Sequence, residues 1–328
     1  MLAVGGVTLL SNAGSWFNAE LPALIRALWP YGHAVRSIHE PYLLAGWGLP
    51  AAQQEEALLS PYQHAIKLRI EMQQTTKERA ESLELLAPRL EINQRCQDRD
   101  FQVWLQSRLS VQAGERVLDL ACGNGAQSQY FDKRIGINGY MRCVDIHEPS
   151  IDYIKEHVRK GDGREFVVSD MMSFASYLRE GDDFTLAHCS FALPYASNPA
   201  LVIGKLAKSI QRPLGRVAIS LPCKPHGMFE LAKSIHPVPE TVEPAIDMGE
   251  SLCIDLFREL FGEVDVSYFN SSLTFVCGND FMRLYRSTTY YSQAHDKEVG
   301  ALVRKRIDDC GFISFKKSAI LIIGRDPA

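Results

Sequence analysis

The 328-residue chain lacks several features that would point to particular classes of protein. No run approaches the roughly 18 apolar residues that span a bilayer as a helix. None of its eight cysteines forms a C-x-x-C pair, which disfavours a zinc site or a disulfide frame. Internal repeats, low-complexity tracts and a basic tract interleaved with aromatic residues are also missing. These absences argue against a membrane span, a metal centre and a repeat architecture.

The composition is that of an ordinary globular protein, with 46% hydrophobic and 23% charged residues. A formal net charge of −4 gives no reason to expect a nucleic-acid partner. The scattered cysteines predict reduced, mostly buried thiols in a cytoplasmic protein. The oligomeric state stays open, and a homodimer is one option.

The first 110 residues divide by composition into two parts. Residues 1–60 are interpreted as an appendage and a linker, and residues 61–110 as a helical N-terminal region. The apolar opening "MLAVGGVTLL" has no basic leader, so it is interpreted as a strand rather than a signal segment. The elements expected here are a strand (3–10), a helix (18–29), a strand (33–38), a linker (41–61) and helices (62–85 and 98–109).

Residues 111–328 are interpreted as one domain, in which strands and helices are expected to alternate regularly as far as residue 221. The predicted strands cover 115–121, 140–145, 165–169, 184–190 and 215–221. The predicted helices cover about 126–134, 149–160, 171–180 and 196–211. This alternation is typical of an α/β protein with a parallel sheet covered on both faces. Ligands of such sheets lie beyond the carboxyl ends of the strands.

The stretch "VLDLACGNGAQSQY" (117–130) places a glycine turn after the first of these strands. Gly123 and Gly125 let the backbone turn sharply and approach a ligand. The dinucleotide fingerprint G-x-G-x-x-G/A has glycine or alanine at its last position, and Ser128 at that position breaks the pattern. Asp119 lies before the turn, where an amino group of a cationic ligand suits it better than a pyrophosphate.

Acidic residues also end the next two strands. Asp145, at the end of "MRCVD", can accept both hydrogens of a ribose diol. Asp170, in "FVVSDM", can accept an adenine amino group while the Met171 amide meets a ring nitrogen. Either acid alone is often a helix N-cap, but acids at three successive strand ends favour an adenosine-containing ligand.

The segments "VLDLACGNG", "VDIHEPSID", "VVSDMMSF", "FTLAHCSFALPY" and "RPLGRVAISLP" resemble the successive motifs of class I S-adenosylmethionine-dependent methyltransferases. The resemblance is strongest to the small-molecule branch with the ubiquinone/menaquinone-type enzymes. It covers about 92–223, with 312–324 as the last strand. It implies a doubly wound, mostly parallel seven-stranded Rossmann-like sheet with a helical N-terminal region and helical cap insertions. Residues 1–40 faintly resemble the opening of formyltransferase-like proteins.

The family resemblance also implies how S-adenosyl-L-methionine would be held as a co-substrate. Its methionine part would be bordered by Asp119, Ala121, Gly123 and Gly125. Its ribose would meet Asp145 and Ile146, and its adenine Asp170 and Met171. The side of the methyl donor would be lined by His188–Phe191, including Cys189 and Phe191.

The acceptor side carries three candidate catalytic residues and a candidate pocket. His188, Tyr195 and His226 follow or end the fourth and fifth strands, where a general base would be needed for an acceptor that loses a proton. Insertions at about 223–262 and 278–310 would form the cap. Aromatic residues there could shape an apolar pocket, with an arginine for an acidic group; the candidates are Tyr285, Arg286, Tyr290 and Tyr291.

The predicted function is methylation of a small organic acceptor on oxygen, nitrogen or carbon. One alternative is a nucleic-acid methyltransferase, because "ALPY" superficially resembles an N-P-P-Y motif and Cys189 and Cys223 follow adjacent strands. Ala192 cannot supply the polar group which that motif needs. Two further hypotheses are a nicotinamide dehydrogenase and a non-catalytic donor-binding scaffold. No nucleic acid and no membrane span are expected.

Overall fold

A computed structural model describes residues 3, 4, 7, 8, 76, 78, 79, 82–178 and 181–327 of the chain. The chain divides into two compact units, Met1–Glu71 and Met72–Ala328. In the first unit, β1 (Ala3–Val4) and β2 (Val7–Thr8) pair antiparallel. The single strand predicted over 3–10 is therefore wrong. The Gly-Gly pair between the two short strands is a hairpin signal in the sequence.

Several predictions for the N-terminal region lie outside the described residues. They are the elements at 18–29 and 33–38, the linker at 41–61 and the formyltransferase-like resemblance. The predicted helix over 62–85 is described only at its end, where residues 76, 78 and 79 are helical. Ser82 is extended and accepts a hydrogen bond from the Leu85 amide, so it begins a separate helix. The continuous helix to residue 85 is thus wrong.

The larger unit contains a seven-stranded sheet. Its strands are β3 (Arg116–Leu120), β4 (Tyr140–Asp145), β5 (Arg164–Val168), β6 (Leu186–Ser190), β7 (Arg216–His226), β8 (Phe261–Phe275) and β9 (Ile313–Pro327). The spatial order is β5-β4-β3-β6-β7-β9-β8. Strands β3 to β7 are parallel, and β9 runs antiparallel to both β7 and β8. This confirms the doubly wound, mostly parallel Rossmann-like methyltransferase fold.

Helices cover both faces of the sheet and form the cap. They are α1 (Leu83–Cys96), α2 (Phe101–Leu109), α3 (Ala126–Ile135), α4 (Glu148–His157), α5 (Met171–Tyr177), α6 (Pro199–Ser209), α7 (Gly227–Ile235), α8 (Val242–Met248), α9 (Ile254–Leu260), α10 (Gly278–Ser287) and α11 (Asp296–Cys310). A π-helical turn (Gly249–Cys253) joins α8 to α9, and short 3-10 turns cover Leu193–Tyr195 and Gln293–His295. The helices α7 to α11 occupy the two predicted insertions.

The predicted order of strands and helices between 98 and 221 is confirmed. Strand β7 runs five residues further than the predicted end at 221 and enters the expected insertion. Strand β8 has no counterpart among the predicted elements, although its alternating buried and exposed residues are typical of a strand with one covered face. It lies at the edge of the sheet.

The hydrophobic core has three parts. One cluster packs α5 and α6 on one face of the sheet, and a second packs α2, α3 and α4 on the other. The third lies under the cap helices and includes Ile92 of α1 and Phe229 of α7. Five of the eight cysteines are buried and all eight are free thiols, as the sequence predicts. In the described part of the chain, no helix is long and apolar enough to cross a membrane.

This topology gathers the ends of several strands at one edge of the sheet. The carboxyl ends of the parallel strands β3 to β7 meet there, together with the beginning of β9. Leu120, Asp145, Val168, Ser190 and His226 are the last residues of β3 to β7 in turn. The residues that follow them are therefore neighbours in space although they are far apart in the chain.

Candidate functional site

A tight loop follows β3 and leads into α3; we call Ala121–Gly125 the glycine loop. Its backbone is left-handed at Ala121 (φ +57°), Gly123 (φ +54°) and Gly125 (φ +75°). A Cβ atom on Gly125 would lie 2.5 Å from Cγ1 of Ile154, which packs from α4. Only glycine therefore fits at position 125. The alanine at 121 adopts a conformation that costs an L-residue about 1–2 kcal/mol, a local strain of the kind found at binding sites.

Asp145 fastens the glycine loop to the end of β4. Its Oδ2 accepts a hydrogen bond from the Gly123 amide at 2.7 Å, and its Oδ1 accepts one from the His147 amide at 3.0 Å. An ionised carboxylate has about four acceptor positions, so two remain after these bonds. The Asp145 carboxylate is thus fixed in place and still able to accept hydrogen bonds from a hydroxyl pair.

Asp119 has a structural role in the fold. Its side chain is buried (1% exposed), and it lies on the α3 side of the sheet. Its Oδ2 accepts a hydrogen bond from Ser128 Oγ at 2.6 Å, and its Oδ1 lies 2.9 Å from Nδ1 of His188. Both oxygens of Asp119 thus bond within the protein, and the contact of this carboxylate with an amino group of the ligand stays a prediction. The residue that breaks the dinucleotide fingerprint, Ser128, is thereby given a structural function.

His188 is also not a catalytic candidate in this structure. Its side chain is fully buried between Asp119 and Phe131, whose ring lies edge-on at 5.3 Å. The ring cannot reach an acceptor beyond the strand ends. The prediction of a catalytic role is therefore corrected, and His188 is a core residue that holds Asp119.

Asp170 caps the helix that follows β5. Its Oδ1 accepts hydrogen bonds from the amides of Met172 at 3.0 Å and Ser173 at 2.9 Å. Met171 is the first helical residue and is half-buried. This is the N-cap function considered from the sequence. The contact of Asp170 and Met171 with adenine stays a prediction.

Large apolar side chains are exposed at three successive strand ends. Ile146 after β4 is 42% exposed, Val168 at the end of β5 is 50% exposed, and Phe191 after β6 is 39% exposed. Phe191 has a left-handed backbone (φ +57°), and its ring lies 5.1 Å from that of Phe101 in α2. Apolar surface beside a fixed carboxylate suits a ligand with flat apolar faces and hydroxyl edges, such as an adenosine. These residues fit the expected co-substrate.

Cys189 differs from this pattern. Its side chain is fully buried in the core on the α5 and α6 face, and burial raises the pKa of its thiol to about 12. Its predicted contact with the co-substrate is corrected for the side chain, because a thiol enclosed in this core does not reach the edge where Phe191 is exposed.

Two of the predicted acceptor-side residues, His226 and Tyr290, meet at the end of β7. His226 is its last residue, and its ring is perpendicular to those of Tyr290 (6.1 Å) and Phe229 (6.5 Å). Among the described residues, His226 Nδ1 is buried without a hydrogen-bond partner. Burial and the charge of Lys317 lower the pKa of His226 to about 4, so its imidazole is neutral at pH 7. Tyr195 lies in the 3-10 turn after β6.

Two of the other predicted pocket residues serve the cap itself. Tyr285 is buried, donates from its hydroxyl to Nε2 of His236 at 2.8 Å and accepts from the Ser292 amide at 3.2 Å. Arg286 makes a two-point ion pair with Asp296 at 2.8 and 2.6 Å on the surface. Tyr285 and Arg286 are thus engaged within the cap, and their contacts with substrate stay predictions.

Tyr291 packs within the cap as well. Its ring lies 5.3 Å from Tyr285, edge-on, and the guanidinium of Arg79 lies over it at 5.0 Å. Its predicted place in the substrate pocket stays a prediction. Of the four predicted pocket residues, only Tyr290 contacts His226.

Sequence reasoning missed a group of basic and polar residues at the same edge: Arg89 and Asn93 of α1 and Lys317 of β9. Lys317 Nζ donates to Asn93 Oδ1 at 2.7 Å. A signal for Lys317 exists in the sequence, because it shares the strand parity of the inward-facing Ile313 and Phe315. Arg89 and Asn93 have no comparable local signal. In the described part of the chain, no group of His, Cys, Asp and Glu could hold a metal ion.

Residues 117–214 match the family described as a methyltransferase domain. This segment runs from β3 past the end of α6 and includes the glycine loop and Asp145. No curated protein matches the chain.

Several solved structures resemble this chain in architecture. The BH2331 protein of Bacillus halodurans, described as a methyltransferase, is 16% identical, with a TM-score of 0.47 over 70% of this chain and 99% of that one. The YcgJ protein of Bacillus subtilis is 15% identical, with a TM-score of 0.47 over 69% and 98%. A SAM-dependent methyltransferase from Aquifex aeolicus is 18% identical, with a TM-score of 0.36 over 53% and 84%. These similarities concern architecture alone.

The segment 117–214 is therefore similar to a methyltransferase domain, and it contains the glycine loop and four of the parallel strand ends described above. This match supports an enzyme of the S-adenosylmethionine-dependent methyltransferase class, with S-adenosylmethionine as its co-substrate.

Proposed function

We propose that the protein transfers a methyl group from S-adenosylmethionine to a small organic acceptor bound beyond the ends of β6 and β7. In this proposal the glycine loop borders the methionine part of the donor. Asp145 and Ile146 hold the ribose, Asp170 and Met171 meet the adenine, and Phe191 lies on the methyl side. The resemblance to the ubiquinone/menaquinone-type branch supports a small acceptor.

The observation that carries the proposal is the double hydrogen bonding of Asp145. Its carboxylate is oriented by the amides of Gly123 and His147, so its remaining acceptor positions are fixed before any ligand binds. Ile146 is the next residue in the chain, and Val168 is in register with Asp145 on the neighbouring strand; both side chains are exposed. This combination of a fixed acceptor and apolar surface suits an adenosine better than a pyrophosphate.

The donor supplies a methyl on a sulfonium, so that an acceptor–carbon bond forms as the sulfur–carbon bond breaks and the sulfur keeps the electron pair. The chain's residues orient the acceptor and exclude water. His226 is neutral at pH 7, because its pKa is about 4, and its Nδ1 lone pair can accept a hydrogen bond from the acceptor. With so low a pKa it is a weak base, and we assign it an orienting role. Tyr195 and Tyr290 border the same space.

Calorimetric titration with S-adenosylhomocysteine, with NADH in a parallel cell, tests the donor site. We expect near one-to-one binding of S-adenosylhomocysteine and none of NADH. The Asp145→Ala variant should bind S-adenosylhomocysteine at least tenfold more weakly, because the hydrogen bonds to the ribose are lost. Asp152→Ala is the matched control, since that carboxylate lies on the exposed side of α4 and pairs only with Lys155.

Asp145→Ala also removes the acceptor of the Gly123 amide, so its thermal unfolding must be recorded beside the binding. Asp145→Asn keeps the shape of the side chain and serves as the second variant. Unchanged affinity in both folded variants would contradict the assignment of Asp145. Binding of NADH alone would contradict the donor assignment. Donor binding without turnover of any acceptor would favour the scaffold hypothesis, and turnover of an oligonucleotide the nucleic-acid hypothesis.

A further inference from the structure

Lys317 occupies an unusual position for a lysine. It lies near the beginning of β9, in register with His226 at the end of β7, and its side chain is half-buried. Its ammonium donates to the Asn93 side chain at 2.7 Å. Burial, and then the charge of Arg89, lower the pKa of Lys317 to about 8. Lys317 is therefore a cation held close to a second cation.

Arg89 supplies that second positive charge from α1. Its Nε donates to the Leu85 carbonyl at 3.0 Å, and its Nη2 donates to the Arg79 carbonyl at 3.3 Å. Burial lowers the pKa of Arg89, and the hydroxyl groups of Tyr195 and Tyr290 partly offset this effect. The Arg89 guanidinium thus lies within electrostatic range of the two tyrosines predicted for the acceptor side.

Several other cations of this protein lie beside carboxylates. The buried Arg164 pairs with Asp132 at 2.7 Å, and Lys224 on the surface pairs with Glu243 and Asp247. In the part of the chain that the structure describes, Lys317 has no carboxylate within ion-pair distance, and its ammonium donates to the neutral Asn93. A partly buried cation without a counter-ion is costly unless an anion joins it.

The length of α1 between Leu86 and Asn93 gives the distance from the glycine loop to Arg89 and Lys317. Leu86, Arg89 and Asn93 are spaced i, i+3 and i+7 and share one face of the helix. Leu86 Cδ2 lies 3.7 Å from the position that a Cβ on Gly123 would take. At 1.5 Å per residue, the seven residues from Leu86 to Asn93 span about 10 Å. One face of α1 thus runs from the glycine loop to Lys317 over the length of a small molecule.

We propose that Lys317, Arg89 and Asn93 form a binding site for an anionic oxygen group, a carboxylate or a phosphate, of the methyl acceptor. The assignment of the anion to the methyl acceptor rests on the proposed function. The binding of an anion at this site does not depend on it. The ammonium and the guanidinium supply charge-assisted hydrogen bonds to the oxygens. The rings of His226 and Tyr290 adjoin this site and give the rest of the molecule an aromatic wall. The acceptor is thus an aromatic or otherwise flat acid.

Paired small probes test the site. Benzoate and phenyl phosphate carry the two kinds of anion, and benzamide and phenol are their neutral counterparts. Dissociation constants would be measured by ligand-observed NMR on the full chain, with and without saturating S-adenosylhomocysteine. We expect each anion to bind more tightly than its neutral counterpart; the tighter of the two anions identifies the kind of group.

Lys317→Met should weaken the anions about tenfold, which is about 1.4 kcal/mol, and leave the neutral probes unchanged. Lys316→Met is the matched control, because the adjacent Lys316 faces the other way, is exposed and donates only to Ser272. Lys317→Gln is the second variant if the methionine variant unfolds. Affinity for S-adenosylhomocysteine should be unchanged in all three.

Anions that bind no better than their neutral counterparts would overturn the proposed site. An equal loss in Lys316→Met and Lys317→Met would overturn it as well, since the effect would then be general surface charge. Anion binding that survives while S-adenosylhomocysteine fails to bind would contradict the proposed function but support the site. The two hypotheses can therefore fail separately.

Discussion

The two halves of the carboxyl edge of the sheet hold opposite kinds of polar group. The half formed by the ends of β3, β4 and β5 carries acids, and backbone amides or a serine donate to each of them. The half formed by the ends of β6 and β7, the start of β9 and α1 carries Arg89 and Lys317. The first half has its charges hydrogen-bonded within the protein, whereas Lys317 in the second donates, among the described residues, to a neutral amide. A pre-formed site and a site completed by its ligand thus lie side by side.

The two halves also differ in how far they can be predicted from sequence. The glycine loop, Asp145 and Asp170 each lie within a few residues of a strand end, so a local pattern predicts them. Even there, local patterns could not show that Asp119 turns inward, because its partners Ser128 and His188 come from another helix and another strand.

The second half is assembled from α1, the turn after β6, the end of β7, the cap and β9. Arg89 and Lys317 are 228 positions apart by subtraction, and no spacing relates them. The strand order of 115–221 was predictable because buried parallel strands give long apolar runs. Strand β8 was missed because its apolar residues are interrupted by Asn270, Ser271 and Ser272.

The largest expected effect is a loss of unfolding free energy in variants of the glycine loop, which belongs to the pre-formed half. Gly125→Ala would force an alanine into a left-handed backbone and push its Cβ against the buried Ile154, which should cost about 2–4 kcal/mol of unfolding free energy. Gly123→Ala meets Leu86 only at 3.7 Å and should cost about 1–2 kcal/mol. Urea denaturation measures both. Equal losses would contradict the close packing of Gly125 on α4.

A second prediction concerns pH and the half that a ligand completes. The pKa of Lys317 is lowered to about 8, so between pH 8 and 10.5 the unfolded chain binds this proton and the folded chain does not. Stability should therefore rise with pH in this window relative to Lys317→Met, and affinity for benzoate should fall. The groups around Lys317 should not produce the same effect between pH 8 and 10.5. Arg89 stays charged, His226 is already neutral, and burial raises the pKa of Tyr290.

Urea midpoints at pH 7.5 and 9.5 measure the stability effect, and Lys316→Met should behave as the unmodified chain. If the unmodified chain and Lys317→Met show the same pH dependence, Lys317 is not a buried cation, and the contrast between the two halves fails.

The smallest effect is expected at the surface of the cap. Arg286→Gln removes an exposed ion pair with Asp296 and should change stability by less than about 1 kcal/mol. Affinity for benzoate and phenyl phosphate should not change, because Arg286 is engaged away from Lys317. Thermal unfolding and the probe titrations measure these effects. A large loss of anion affinity would move the acceptor site to the cap surface.

The hydrogen bond between Ser128 and Asp119 limits which substitutions the helix after the glycine loop can accept without a loss of stability. A Ser128→Gly change would complete the glycine pattern of a dinucleotide-binding loop, but it would leave a buried carboxylate without one of its donors, at a cost of about 1–3 kcal/mol. The route from one nucleotide specificity to the other thus passes through a less stable protein unless Asp119 changes as well. The free-energy effect of a change at either position is therefore expected to depend on the residue at the other.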